Sequence, residues 1–124
     1  MRKQYHFRPG PTGLMAWDVD RLAALTKNLP RERVPLSAIR EIDEPYWSGN
    51  GSAMTCREVA DHARLIEESD LDFPVILSVD GRIMDGMHRV AKALLEGRTE
   101  IEAVRFMLDP EPDYVGVEPD ALPY

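Results

Sequence analysis

The clearest periodicity in the chain lies between Thr55 and Glu68, where Cys56, Val59, Ala60, Ala63 and Ile66 recur at intervals of three and four. That spacing puts all five on one face of a helix and makes Cys56 a core candidate. Thr55 and Glu58 stand in front as a T-x-x-E capping box. A second helix is expected from about Gly86, with Met87, Val90, Ala91, Leu94 and Leu95 as its apolar face and Gly97 as its stop. A third, shorter helix follows Asp18, a capping residue. Val19, Leu22, Ala23 and Leu25 form its apolar side, and Pro30 ends it.

Between these lie runs of strand character. "RVPLSAIREI" from Arg33 offers Val34, Leu36 and Ile39 as buried positions. "FPVILSV" is β-rich, with Pro74 near its start, where a missing N–H is tolerable. Asp80-Gly81 signals a tight turn, and "RIM" is the returning strand. In "EIEAVRFML", Ile101, Ala103 and Arg105 alternate with Glu102, Val104 and Phe106, so either set can face inward. "DEPYWSGNGS" reads as a loop. Residues 1–16 read as an irregular arm broken by Pro9, Gly10, Pro11 and Gly13. The elements predict a single α+β domain, a small mixed sheet with packed helices over 33–107. Residues 1–32 supply an arm and a short helix, and 108–124 an acidic, proline-rich tail, either loose or wrapped over the domain.

Composition narrows the function. The 124 residues carry a net charge of -7, which argues against a general nucleic-acid binder. A single cysteine allows no intramolecular disulfide and fits a reducing compartment. No apolar run is long enough to span a membrane, and the N-terminus lacks the apolar segment of a secretory signal. A cytoplasmic protein is expected.

Against that acidic background one stretch stands out, "SVDGRIMDGMHRVAKALLEG". Gly86, between a strand and a helix, lets backbone approach a ligand, and the helix start offers unpaired amides and a positive dipole end. Asp85, His88, Arg89 and Lys92 share the polar side of that helix. Arg89 is suited to fork onto a phosphate, Lys92 adds a point charge, and His88 can donate or hold a proton. Asp85 can bind a metal ion, orient Arg89 or accept a proton. The alternative is a solvated polar face, with Asp85 as an N-cap and a surface Asp85–Arg89 ion pair. The string is not a Walker loop. His62 sits beside the apolar stripe of its helix. It is either a surface residue or one of a pair with His88 that binds a metal or relays protons.

The order of elements, with D-G-M-H-R and an alanine-containing helix in register, resembles the ParB/sulfiredoxin-like superfamily over residues 33–107. The resemblance implies that nucleotide phosphates (ATP, ADP or CTP, with Mg²⁺) are held by Gly86, Met87, His88 and Arg89, with Lys92 nearby. By analogy with the small-molecule kinases of the superfamily, a carboxylate after the first strand acts as base. Glu41, Asp43 and Glu44 are available, and Glu44 is favoured, with Asp85 and His88 as further catalytic candidates. Met87 stands where sulfiredoxins carry their reactive cysteine, which argues against sulfinic-acid reduction. There is no room for the helix-turn-helix domain of partition proteins, which argues against sequence-specific DNA binding. Two readings follow. One is a small phosphotransferase or nucleotide hydrolase. The other is a non-catalytic nucleotide-binding regulatory or protein-interaction module, in which Tyr46 and Trp47 stack on a base or close a lid and the acidic tail meets a protein partner.

Overall fold

The structure, a computed structural model, describes residues 3–48 and 53–124, so Gly49, Asn50 and Gly51 of the expected loop lie outside the described residues. Among the described residues, three α-helices and two small sheets form a single α+β domain. The central sheet has strand order β3-β6-β4-β5 and is mixed. β3 (Glu32–Pro35) runs antiparallel to β6 (Glu100–Arg105), β6 runs parallel to β4 (Val75–Leu77), and β4 runs antiparallel to β5 (Ile83–Asp85). The β4–β5 turn is closed by Ser78 N–H to Arg82 O at 2.8 Å, with Gly81 at φ +86°. A parallel pair needs a crossover, and α3 (Met87–Leu95) supplies it between β5 and β6.

Alternation along the strands loads both faces of this sheet. Val75, Leu77, Ile83, Ile101 and Ala103 point one way and pack with Met87, Val90 and Ala93 of α3. Ile76, Met84, Val104 and Phe106 point the other way and pack with Trp17 and Leu22. Both alternating sets of the last strand are therefore inward, because the sheet is covered on both sides.

The cover on the second face comes from the N-terminus. Residues expected as an irregular arm instead form a hairpin, β1 (Tyr5–Gly10) and β2 (Gly13–Asp18), closed by the two-residue turn Pro11-Thr12 directly after Pro9 and Gly10. The proline and glycine signals mark that turn, and Tyr5, Phe7 and Trp17 supply the strands. β7 (Tyr114–Val115) of the tail adds a third strand beside β2. Trp17 Nε1–H donates to Pro110 O at 2.8 Å, Tyr5 O–H donates to Pro123 O, and Leu122 is buried. The tail is thus wrapped rather than loose. α1 (Val19–Thr26) follows the hairpin, capped by Asp18, and buries Leu22 and Thr26 while Leu25 stays exposed.

Further expectations need correction. "RVPLSAIREI" is strand only through Pro35 and then makes 3-10 turns at Leu36–Ala38 and Arg40–Asp43. Val34, Leu36 and Ile39 are nevertheless buried. α3 buries Met87, Val90 and Ala93, whereas Leu94 and Leu95 face outward. It ends in a Schellman arrangement, with Arg98 N–H on Ala93 O and Gly97 N–H on Leu94 O. α2 (Cys56–Glu68) begins where its capping box indicates, Glu58 N–H donating to Thr55 Oγ1 at 3.2 Å. Yet none of its residues is buried, and Cys56 is exposed. No described helix is long and apolar enough to cross a membrane.

Candidate functional site: a cleft at the start of α3

β5 ends at Asp85, and the chain turns into α3 through Gly86 at φ +108°. A side chain there is excluded twice. The left-handed backbone disfavours it, and a Cβ would lie 2.8 Å from both Val75 Cγ1 and the Arg89 guanidinium. The first intrahelical bond runs from Val90 N–H to Gly86 O at 3.0 Å. The amides of Met87, His88 and Arg89 precede it and have no helical acceptor.

This helix start forms the floor of a cleft of about 510 Å³. Asp85, Gly86, Met87 and His88 line it on one side. His6 and Phe7 of β1 line another, with Tyr46 and Trp47 of the loop after β3. An apolar pocket of about 270 Å³ adjoins it and shares Tyr46, Trp47 and Met87 with the cleft. Glu44 lines the smaller pocket.

The structure sorts the sequence candidates into four groups. Gly86, Met87, His88 and Asp85 converge on the cleft. Arg89 belongs to its foundation: the guanidinium donates to Asp85 Oδ2 at 3.0 Å and to Pro74 O at 3.3 Å, and its Nε is buried without a partner. Lys92 lies away from the cleft, its ammonium on Glu67 O at 2.9 Å and Ser69 O at 2.7 Å, so it caps the end of α2. Of the three loop carboxylates, Glu44 accepts two hydrogen bonds from Arg82, at 2.8 and 2.9 Å. Glu41 is only 5% exposed and accepts from Ile83 N–H through Oε2, while its Oε1 is buried without a partner. Asp43 is exposed.

His88 does pair with His62. His62 Nδ1 and His88 Nε2 are 2.8 Å apart, and both rings stack on Trp47 at centroid distances of 4.5 and 4.8 Å. One ring donates and the other accepts, so the contact holds while at least one imidazole is neutral. Burial lowers the His88 pKa. The charge of a protonated His62 and the Arg89 guanidinium lower it further, and Asp85 opposes them. Among the described residues no group of three His, Cys, Asp or Glu is placed to hold a metal ion.

Two residues contribute more than the sequence reading expects. His6 accepts from Arg8 Nε–H at 3.2 Å through Nε2, and burial and then the Arg8 charge push its pKa down to about 4. It is a neutral imidazole whose proton sits on Nδ1. Tyr46 is the second in this sense: it was read only as a stacking ring. Its phenol is pushed up to about 12 by desolvation, with the Glu41 and Asp85 charges adding to it, so it stays a donor. The signal for His6 was the alternation Tyr5-His6-Phe7-Arg8, which the neighbouring Pro-Gly-Pro concealed.

No family model matches the chain, and no solved structure matches it. A curated protein of Streptomyces griseus, "Streptomycin biosynthesis operon possible regulatory protein", is 30% identical over 89 residues, which is 70% of this chain and 25% of that protein. The chain therefore spans about a quarter of the length of the relative it matches.

Proposed function

We propose that the chain is a ParB/sulfiredoxin-like module that binds the phosphates of a nucleotide and serves in a regulatory protein. The observation that carries this reading is Gly86, whose left-handed turn, too tight for a Cβ, opens α3 beside the cleft that Gly86, Met87 and His88 line. Those amides and the positive end of the helix dipole suit an oxyanion. Met87 and His88 contact the phosphate, and Arg89 positions the Asp85–Gly86 turn from beneath. Tyr46 and Trp47 give the base an aromatic surface. Asp85 is the only carboxylate among the cleft-lining residues described, and Arg89 already neutralises it. That is a poor fit for a protein-held Mg²⁺, which leaves any ion to arrive on the nucleotide itself. The curated relative is named a possible regulatory protein, and that name supports the regulatory half of this reading.

The second reading is a small-molecule kinase or nucleotide hydrolase. It is favoured by one observation: Glu44 lines the pocket that adjoins the cleft. As a base, Glu44 must first release Arg82, which holds it as a charge-assisted pair. Calorimetry with ATP, ADP and CTP, with and without Mg²⁺, together with an ADP- and phosphate-release assay, separates the readings. Binding without turnover supports the module. Turnover abolished by Glu44→Gln with binding retained supports the enzyme. No binding of any of the three removes both.

A further inference from the structure

α2 is a strongly amphipathic helix with its apolar stripe in solvent. Cys56, Val59, Ala60 and Ala63 are all exposed, Val59 at 54%. The helix is held to the body by a different side. His62 meets His88, Ile66 is half-buried, and Lys92 of α3 caps the C-terminal carbonyls. At 100° per residue the stripe is rotated roughly a quarter-turn from that attached side. The side chains on it are small, which lets a second helix come close.

The flank of this stripe carries its own pattern. Arg57, Asp61, Arg64 and Glu68 step along it at intervals of four, three and four, alternating in sign, and all are exposed. The pattern complements itself when reversed. An antiparallel copy of α2, with the two-fold axis between His62 and Ala63, sets Arg57 opposite Glu68 of the second copy and Asp61 opposite Arg64. Today Asp61 and Arg64 pair only with each other, at 3.6 Å within one exposed helix.

We infer that α2 is a homodimer interface, in which two copies of this chain pack antiparallel through Cys56, Val59, Ala60 and Ala63, flanked by four symmetric ion pairs. The inference is independent of the nucleotide reading, since it uses the side of α2 turned away from the cleft. A pair of 13-residue helices lies at the low end of interface size, so the dimer is weak and salt-sensitive.

Sedimentation equilibrium of the nucleotide-free protein from about 10 µM to about 1 mM tests it, at low salt and at about 0.5 M salt. The wild-type chain is expected to dimerise at the upper end at low salt, and less at high salt. Ala63→Glu is expected to remain monomeric. Arg57→Glu turns two attractive contacts per dimer into repulsive ones and is expected to weaken association about tenfold. Arg57→Glu with Glu68→Arg restores the complementarity and is expected to recover most of it. Circular dichroism confirms that each variant is folded, which these exposed positions permit. A monomer at every concentration overturns the inference, as does a dimer indifferent to Ala63→Glu. Rapid Cys56–Cys56 cross-linking under mild oxidation also overturns it, because in this antiparallel register the two Cys56 side chains lie at opposite ends of the interface, roughly 20 Å apart.

Discussion

α2 and α3 both carry a clear apolar periodicity, yet α3 buries Met87, Val90 and Ala93 and α2 buries nothing. The difference lies in what each helix crosses. α3 links β5 to β6 and must lie on the sheet, where Val75, Leu77 and Ile101 meet it. α2 lies off the sheet, and its described contacts with the body run through α3 and Trp47, where side-chain hydrogen bonds and ring stacking hold it. An amphipathic pattern states that a helix has an apolar side. It does not say whether the fold itself or another chain covers that side.

The largest expected effect that sharpens this contrast is at the entry to α3. Gly86→Ala combines a strained backbone with a Cβ at 2.8 Å from Val75, and is expected to cost about 3 kcal/mol in urea unfolding. A loss under about 0.5 kcal/mol contradicts the rigid turn.

Acid provides the next test. The unfolded chain protonates His6 below about pH 6.5, while the folded protein resists until about 4. The unfolded state therefore binds more protons across that window, and stability falls as pH drops through it, by roughly 2–3 kcal/mol. His88 acts in the same direction. Stability profiles should flatten in His6→Phe. Hydrogen-exchange protection factors in α2 should also fall at acid pH ahead of those in α3, because protonation of His88 weakens its bond to His62.

A matched deletion compares the two helices directly. Val90→Ala, at a fully buried position, is expected to cost about 2 kcal/mol. Val59→Ala, measured at low micromolar concentration, is expected to change stability by less than about 0.5 kcal/mol. Equal effects contradict the placement of α2.

Much of the fold was legible in local chemistry. Thr55 and Glu58, Asp80-Gly81 and Gly97 each marked an element boundary, because capping and turns depend on a few neighbouring residues. The hairpin was not legible, because Pro9-Gly10-Pro11 reads as disorder until its flanking strands find the sheet face that Trp17 covers. At the site, Gly86 and His88 were legible as a helix opening. Charge alone could not place Arg89 and Lys92, whose partners are backbone carbonyls of other segments and the Asp85 carboxylate. The His62–His88–Trp47 stack needed three separate segments and could only be suspected as a His pair.

The central claim is that the amides opening α3 receive an oxyanion. Amide-resolved NMR during titration with ATP, ADP and CTP tests it most directly. The expected result is saturable shifts concentrated at Gly86, Met87 and His88, with Trp47 following and Lys92 unmoved. Binding with shifts elsewhere and none at those three amides, or no saturable shift with any nucleotide, contradicts it.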